Sequence, residues 1–209
     1  MRARVLGFIA AIGLFSASTV AAQDDDYFRS HCKSLSDTSV SCSGIDLKQF
    51  ECDGLSFPSA SLSSLAPQES VLICHRYGEK SGIFNTGCML RDWIAYLVKR
   101  GENIVLIDSA AKFADHFGPV DAPEKAVAFL FALTPTFRGD AVKPPLALSS
   151  AEVQKGEDGF NVAAFNRQNC GCGTHPISEV VYHVTNAGAV SELSTKKVRD
   201  TTPVELCID

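Results

Sequence analysis

The chain has 209 residues, 45% of them hydrophobic and 21% charged, with no low-complexity tract. That is enough for one ordinary globular domain, or a small module plus a domain, and it excludes a disordered chain. Its 24 acidic residues outnumber its 19 basic ones, and the formal net charge of −5 argues against nucleic acid or an anionic membrane as partner.

Arg2 and Arg4 precede an uncharged apolar run over residues 5–15, and residues 16–22 are small and weakly polar, ending in Val20-Ala21-Ala22. Charge, apolar core and small residues in this order predict a cleavable secretory signal over residues 1–22, with a mature chain starting near Gln23. An apolar run of eleven residues is short of the roughly 20 that cross a bilayer. No later segment approaches that length, so no membrane span is expected in the mature form. Loss of the two arginines takes the net charge from −5 to about −7.

Residues 23–66 form a Ser-, Gly- and Cys-rich region in which Cys32, Cys42 and Cys52 recur every ten residues. It has few apolar runs and is expected to depend on bridges. The remaining cysteines are Cys74, Cys88, Cys170, Cys172 and Cys207, so all eight lie beyond the signal. An even count in an exported chain reads as disulfides, because an oxidising compartment converts free thiols. The pair Cys172–Cys207 is the preferred bridge, tying the C-terminal tail to a sheet; the rest of the connectivity stays open.

The main domain is expected over residues 67–209. Residues 71–77 read as a strand. From Cys88 onward Met89, Leu90, Trp93, Ile94, Leu97 and Val98 follow a helical stripe, with Thr86 as N-cap, Lys99 and Arg100 in the last turn and Gly101 as the stop. This predicts a helix from Cys88 to Arg100. Residues 104–107 read as a short strand. Ser109 caps a brief helix that ends at Gly118-Pro119, and Asp121 opens another, with Pro123 in its first turn and Glu124 at capping-box spacing. Strands are expected over 160–167, 177–185 and 189–198, the last two joined by the turn Asn186-Ala187-Gly188. The fold class is therefore α+β: a small disulfide-rich N-terminal region, then helices packed on an antiparallel meander.

The runs FGPVDAPEKAVAFLFALT, EDGFNVAAFNRQNCGCGTH and VVYHVTNAGAV, with the terminal LCID, resemble the C-terminal part of uncharacterised secreted bacterial proteins. The resemblance covers residues 103–209 and implies no activity. The order of helix and curled meander is also similar, in architecture, to PepSY-like and cystatin-like domains.

Three functional readings follow. The first is a non-catalytic binding module of the bacterial envelope whose partner is a protein, a peptide or a small ligand, with no cofactor. The second is a papain-like cysteine hydrolase: Cys88 at a helix start would favour a thiolate, and His175 and Asn186 follow in Cys, His, Asn order. No family signature surrounds Cys88. The third is a metal site built from Cys170, Cys172, His175 and His183, whose spacing departs from the usual zinc knuckle. His75 and His116 receive no role, and Trp93 reads as core. The first reading is the one the sequence favours.

Overall fold

The computed structural model describes residues 27–36, 38–59, 62, 65, 69–88, 90–138, 152–167, 170–201 and 204–208, with the backbone alone for 172 and 204–208. The expected signal lies outside the described residues.

The architecture is α+β and disulfide-bonded, and antiparallel strand predominates over helix. A single-turn helix α1 (Tyr27–His31) leads into the hairpin β1 (Cys32–Ser36) and β2 (Ser39–Cys42). After a 3-10 turn (Leu47–Phe50) comes β3 (Gly54–Ser56), the outer strand of the first large sheet. There β3 pairs with β4 (Ser70–Tyr77), and β4 with β6 (Asp92–Arg100). The far edge of β6 is shared by β5 (Phe84–Asn85) and β7 (Asn103–Ile107). Helices α2 (Ala110–Phe117) and α3 (Pro123–Leu133) follow. The second sheet, in the order β12-β11-β9-β8, is built from β8 (Glu152–Lys155), β9 (Gly159–Arg167), β11 (Pro176–Thr185) and β12 (Val190–Asp200). A small ladder joins β10 (Gly171–Gly173) to β13 (Val204–Ile208). Among the described residues no helix is long and apolar enough to cross a membrane.

The helix expected from Cys88 to Arg100 is instead the central strand β6. Ile94, Ala95, Tyr96, Leu97 and Val98 are all buried, because both faces of the sheet are covered. A run apolar on both faces satisfies a helical stripe and a buried strand equally well. Its length and its aromatic and β-branched content favour the strand. The cap at Asp121 also moves. Ala122 is the N-cap, with no side-chain hydrogen bond, and its extended backbone (φ −134°, ψ 150°) suits the residue that precedes Pro123. Ser109 does cap α2, its side chain accepting from the Lys112 N–H.

The two faces of β6 feed two cores. Leu72, Cys74, Ala95 and Leu97 pack with Phe28, Cys32, Val40, Phe50, Cys52 and Leu55 of the N-terminal region. Bridges Cys32–Cys42 and Cys52–Cys74 fasten that layer, the second tying it directly to β4. On the opposite face Ile94, Tyr96 and Val98 join Phe113 and Phe117 of α2, Phe129 and Leu130 of α3, and Phe160, Val162, Val180, Tyr182 and Val184 of the second sheet. The helices thus cement sheet to sheet. Phe113 is the hinge pin of that core, with ring centroids 5.5 Å from Tyr96 and 5.1 Å from Phe129. The β11–β12 turn docks on the same helices. Gly188 sits at φ +85°, and a Cβ there would lie 2.6 Å from the Phe129 ring.

Candidate functional site

Cys88 heads no helix and is joined to Cys170 in a disulfide. The hydrolase reading therefore loses its nucleophile, and its geometry does not close either. His175 precedes the ten-residue strand β11 and Asn186 follows it, placing them roughly 35 Å apart at strand rise. The His175 backbone exchanges hydrogen bonds with Thr201, and the Asn186 carbonyl accepts from the Val120 N–H. The metal reading meets the same obstacles. Cys170 has no thiolate to offer, and His183 lies roughly 25 Å along the strand from His175. His183 instead hydrogen-bonds Asn161 and Asp158, both at 2.8 Å. β10 and β13 bring the backbones around Cys172 and Cys207 together, with Gly171 opposite Ile208; the two side chains lie outside the described residues.

Two other places carry features of a site. The first is a groove of about 300 Å³ lined by Ser34, Leu35, Ser36, Ser39, Val40 and Phe57. A register shift between Ser34 and Ser36 makes Leu35 the extra residue of a bulge, which turns its side chain out of the ladder. Leu35 is 71% exposed, an apolar side chain left uncovered beside Val40 and Phe57 in a groove whose other lining residues are serines. The hydroxyls of Ser36 and Ser39 hydrogen-bond across the hairpin end at 2.9 Å. Arg29 lies 4.9 Å over the Phe57 ring and holds that side chain in place.

The second lies on the opposite face of β3. Because side chains alternate along a strand, Ile73 and His75 share one face of β4 while Leu72 and Cys74 take the other. Asp92 is two residues before Ile94 on the same face of β6. Register sets Gly54 opposite His75 and Tyr77 opposite Asp92, so Ser56 and Asp92 flank His75 on opposite diagonals. The Ser56 Oγ is 2.9 Å from His75 Nε2, and His75 Nδ1 is 3.0 and 3.2 Å from the two Asp92 carboxylate oxygens. Thr86 Oγ1 donates to the same carboxylate at 3.0 Å, while the Asp92 backbone N–H donates to Asn85 Oδ1 at 2.8 Å. His75 and Asp92 are each about one-fifth exposed, so water reaches the chain of bonds.

Two carboxylates lie beside the array, Asp92 within it and Asp53 paired with Lys80. The Tyr77 phenol is pushed above its ordinary range by burial, then by the Asp92 and Asp53 carboxylates. Asp53 is held below the usual carboxylate range by the hydrogen bond from Lys80, against a burial penalty, with help from the Tyr77 N–H.

Neither place was legible as a site in the sequence. Leu35 depends on a bulge, and the Ser56–His75–Asp92 contact needs three strands in register, one of them read as helix. His116, also left without a role, is fastened to Glu69 at 2.7 Å.

No protein-family model, curated protein or solved structure matches this chain.

Proposed function

We infer that this is an exported, disulfide-stapled binding protein of the bacterial envelope, and that its groove at the β1–β2 hairpin takes an apolar side chain from a partner peptide or protein segment. The exposed Leu35 beside the groove carries this reading, since an uncovered large apolar residue at a concavity is where a partner gains most by displacing water. The rim of serine hydroxyls offers hydrogen bonds to a partner backbone. The net charge of −5 favours a neutral or basic partner. Export is supported by the signal-like residues 1–22 and by six cysteines engaged in three bridges.

The test uses Nile red, a neutral apolar dye, as the probe. Its fluorescence should rise on saturable binding to the wild-type chain, and Leu35→Asp and Phe57→Ala should each weaken binding by about tenfold or more while the melting temperature of Leu35→Asp stays unchanged. Equal binding by Leu35→Asp would remove the reading.

A further inference from the structure

The polar array on the far face of β3 is independent of the groove and asks for a different explanation. Leu55 and Phe57 pack toward the N-terminal core, whereas Ser56, between them, reaches His75. A half-buried serine could satisfy its hydroxyl on backbone groups. Here the hydroxyl meets an imidazole nitrogen whose partner across the ring is a carboxylate.

The hydrogen-bond directions follow from chemistry. An ionised carboxylate only accepts, so the ring proton facing Asp92 sits on Nδ1. That leaves Nε2 with a free lone pair, and Ser56 is the donor to it. Asp92 is prevented from turning by Thr86 Oγ1 on one side and by the strand pairing of its backbone on the other. The tautomer and the ring plane are therefore both fixed before any ligand arrives. This order of nucleophile, base and orienting acid is the one that activates a serine hydroxyl.

We propose that Ser56, His75 and Asp92 form a nucleophilic acyl-transfer site for small neutral esters. Ser56 Oγ attacks the ester carbonyl carbon while its proton passes to His75 Nε2. The tetrahedral adduct collapses, the carbon–oxygen bond to the leaving group breaks, and Nε2–H returns the proton to the departing alcohol. Water, deprotonated by the same nitrogen, then attacks the acyl-serine; the bond from the acyl carbon to Ser56 Oγ breaks, Nε2–H returns the proton to Oγ, and the carboxylic acid leaves, so that ester and water become acid and alcohol. Asp92 steadies the imidazolium without taking its proton. Neutral substrates suit the array because the Asp92 carboxylate beside His75 disfavours a second anion there, while Asp53 is paired with Lys80. The half-buried Ile73 and Phe84 flank the array with apolar surface.

The experiment incubates the folded chain with a biotinylated ethyl fluorophosphonate, which phosphonylates activated serines with loss of fluoride, and maps the label by peptide mass spectrometry. The covalent adduct reports the nucleophile without requiring rapid turnover. Labelling is expected at Ser56 and not at Ser34, Ser36 or Ser39. It should vanish in Ser56→Ala and slow by roughly 100-fold or more in His75→Gln and Asp92→Asn. The wild-type rate should rise with pH through a single ionisation that His75→Gln abolishes, a change that a purely structural hydrogen bond would not produce. Circular dichroism of each variant separates loss of chemistry from loss of fold. A folded wild-type chain that leaves Ser56 unlabelled at pH 8 would overturn the proposal whatever the variants do, as would equal labelling of His75→Gln. Neither outcome touches Nile red binding at Leu35, so the two readings fail separately.

Discussion

The hydroxyl of Tyr96 in β6 donates to the backbone carbonyl of Ala132 in α3 at 2.8 Å, a polar clamp between the central strand and the helix. Tyr96 is 2% exposed, and burial pushes its phenol well above the ordinary value near 10. At neutral pH, Tyr96→Phe should cost about 1 kcal/mol, because a carbonyl in the last turn of α3 loses its donor.

The pH dependence has a definite sign. Above about pH 10 the unfolded chain releases the Tyr96 proton while the folded chain keeps it, so the stability this group contributes is full below that pH and is lost as pH rises further. The wild type should therefore lose its advantage over Tyr96→Phe on the alkaline side, at up to about 1.4 kcal/mol per pH unit. Urea unfolding of both proteins at pH 7, 10 and 11 checks this. A gap that stays constant would contradict it.

The disulfides differ in what they constrain. Cys88–Cys170 closes a sequence separation of 82 residues and links the loop before β6 to the segment before β10, while Cys32–Cys42 closes only 10. If bridges act mainly by restricting the unfolded chain, removing the long one should cost about 2 kcal/mol more than removing the short one. Paired serine variants, Cys88→Ser/Cys170→Ser against Cys32→Ser/Cys42→Ser, test this by their denaturant midpoints.

Arg76 is 4% exposed and donates to the Ser81 carbonyl at 2.6 Å and to the Glu51 carboxylate, with Asp108 3.9 Å away. Its partner Glu51 is 64% exposed, so the pair is lopsided. Arg76→Ala removes buried packing as well as charge and should cost about 3 kcal/mol. Glu51→Gln leaves Arg76 its Ser81 and Asp108 contacts and should cost about 1 kcal/mol or less. Equal losses in thermal melts would show that the carboxylate, rather than the burial, holds Arg76.

Much of the second half was legible because its signals are local. Ser109 caps α2 where a cap was expected, Pro123 begins α3, and the Asn186-Ala187-Gly188 turn joins the alternating run of β11 to its exposed partner β12. The first half was less so. In β1–β3 the chain is serine-rich and draws its burial from Cys and Phe side chains far apart in sequence, so no period shows. In β6 a run covered on both faces carries no period of 2, and the Trp93–Val98 stripe fitted a helix by coincidence of spacing. That error hid the array at His75 as well. Asp92 can meet His75 only if residues 92–100 are extended and paired with β4, and Ser56 only if β3 joins the same sheet. Both are facts of register, which a single strand's sequence does not contain.

Everything proposed for the groove rests on an exported chain whose cysteines are staples rather than chemistry. Intact mass of the chain expressed from Met1 in a Gram-negative host, recovered from the periplasm and alkylated in denaturant without reductant, tests that most directly. The expected species begins near Gln23, carries no alkyl group, and is eight hydrogens lighter than the reduced chain, two for each of four bridges among eight cysteines. A full-length chain retained in the cytoplasm, or an alkyl group on any cysteine, would contradict it.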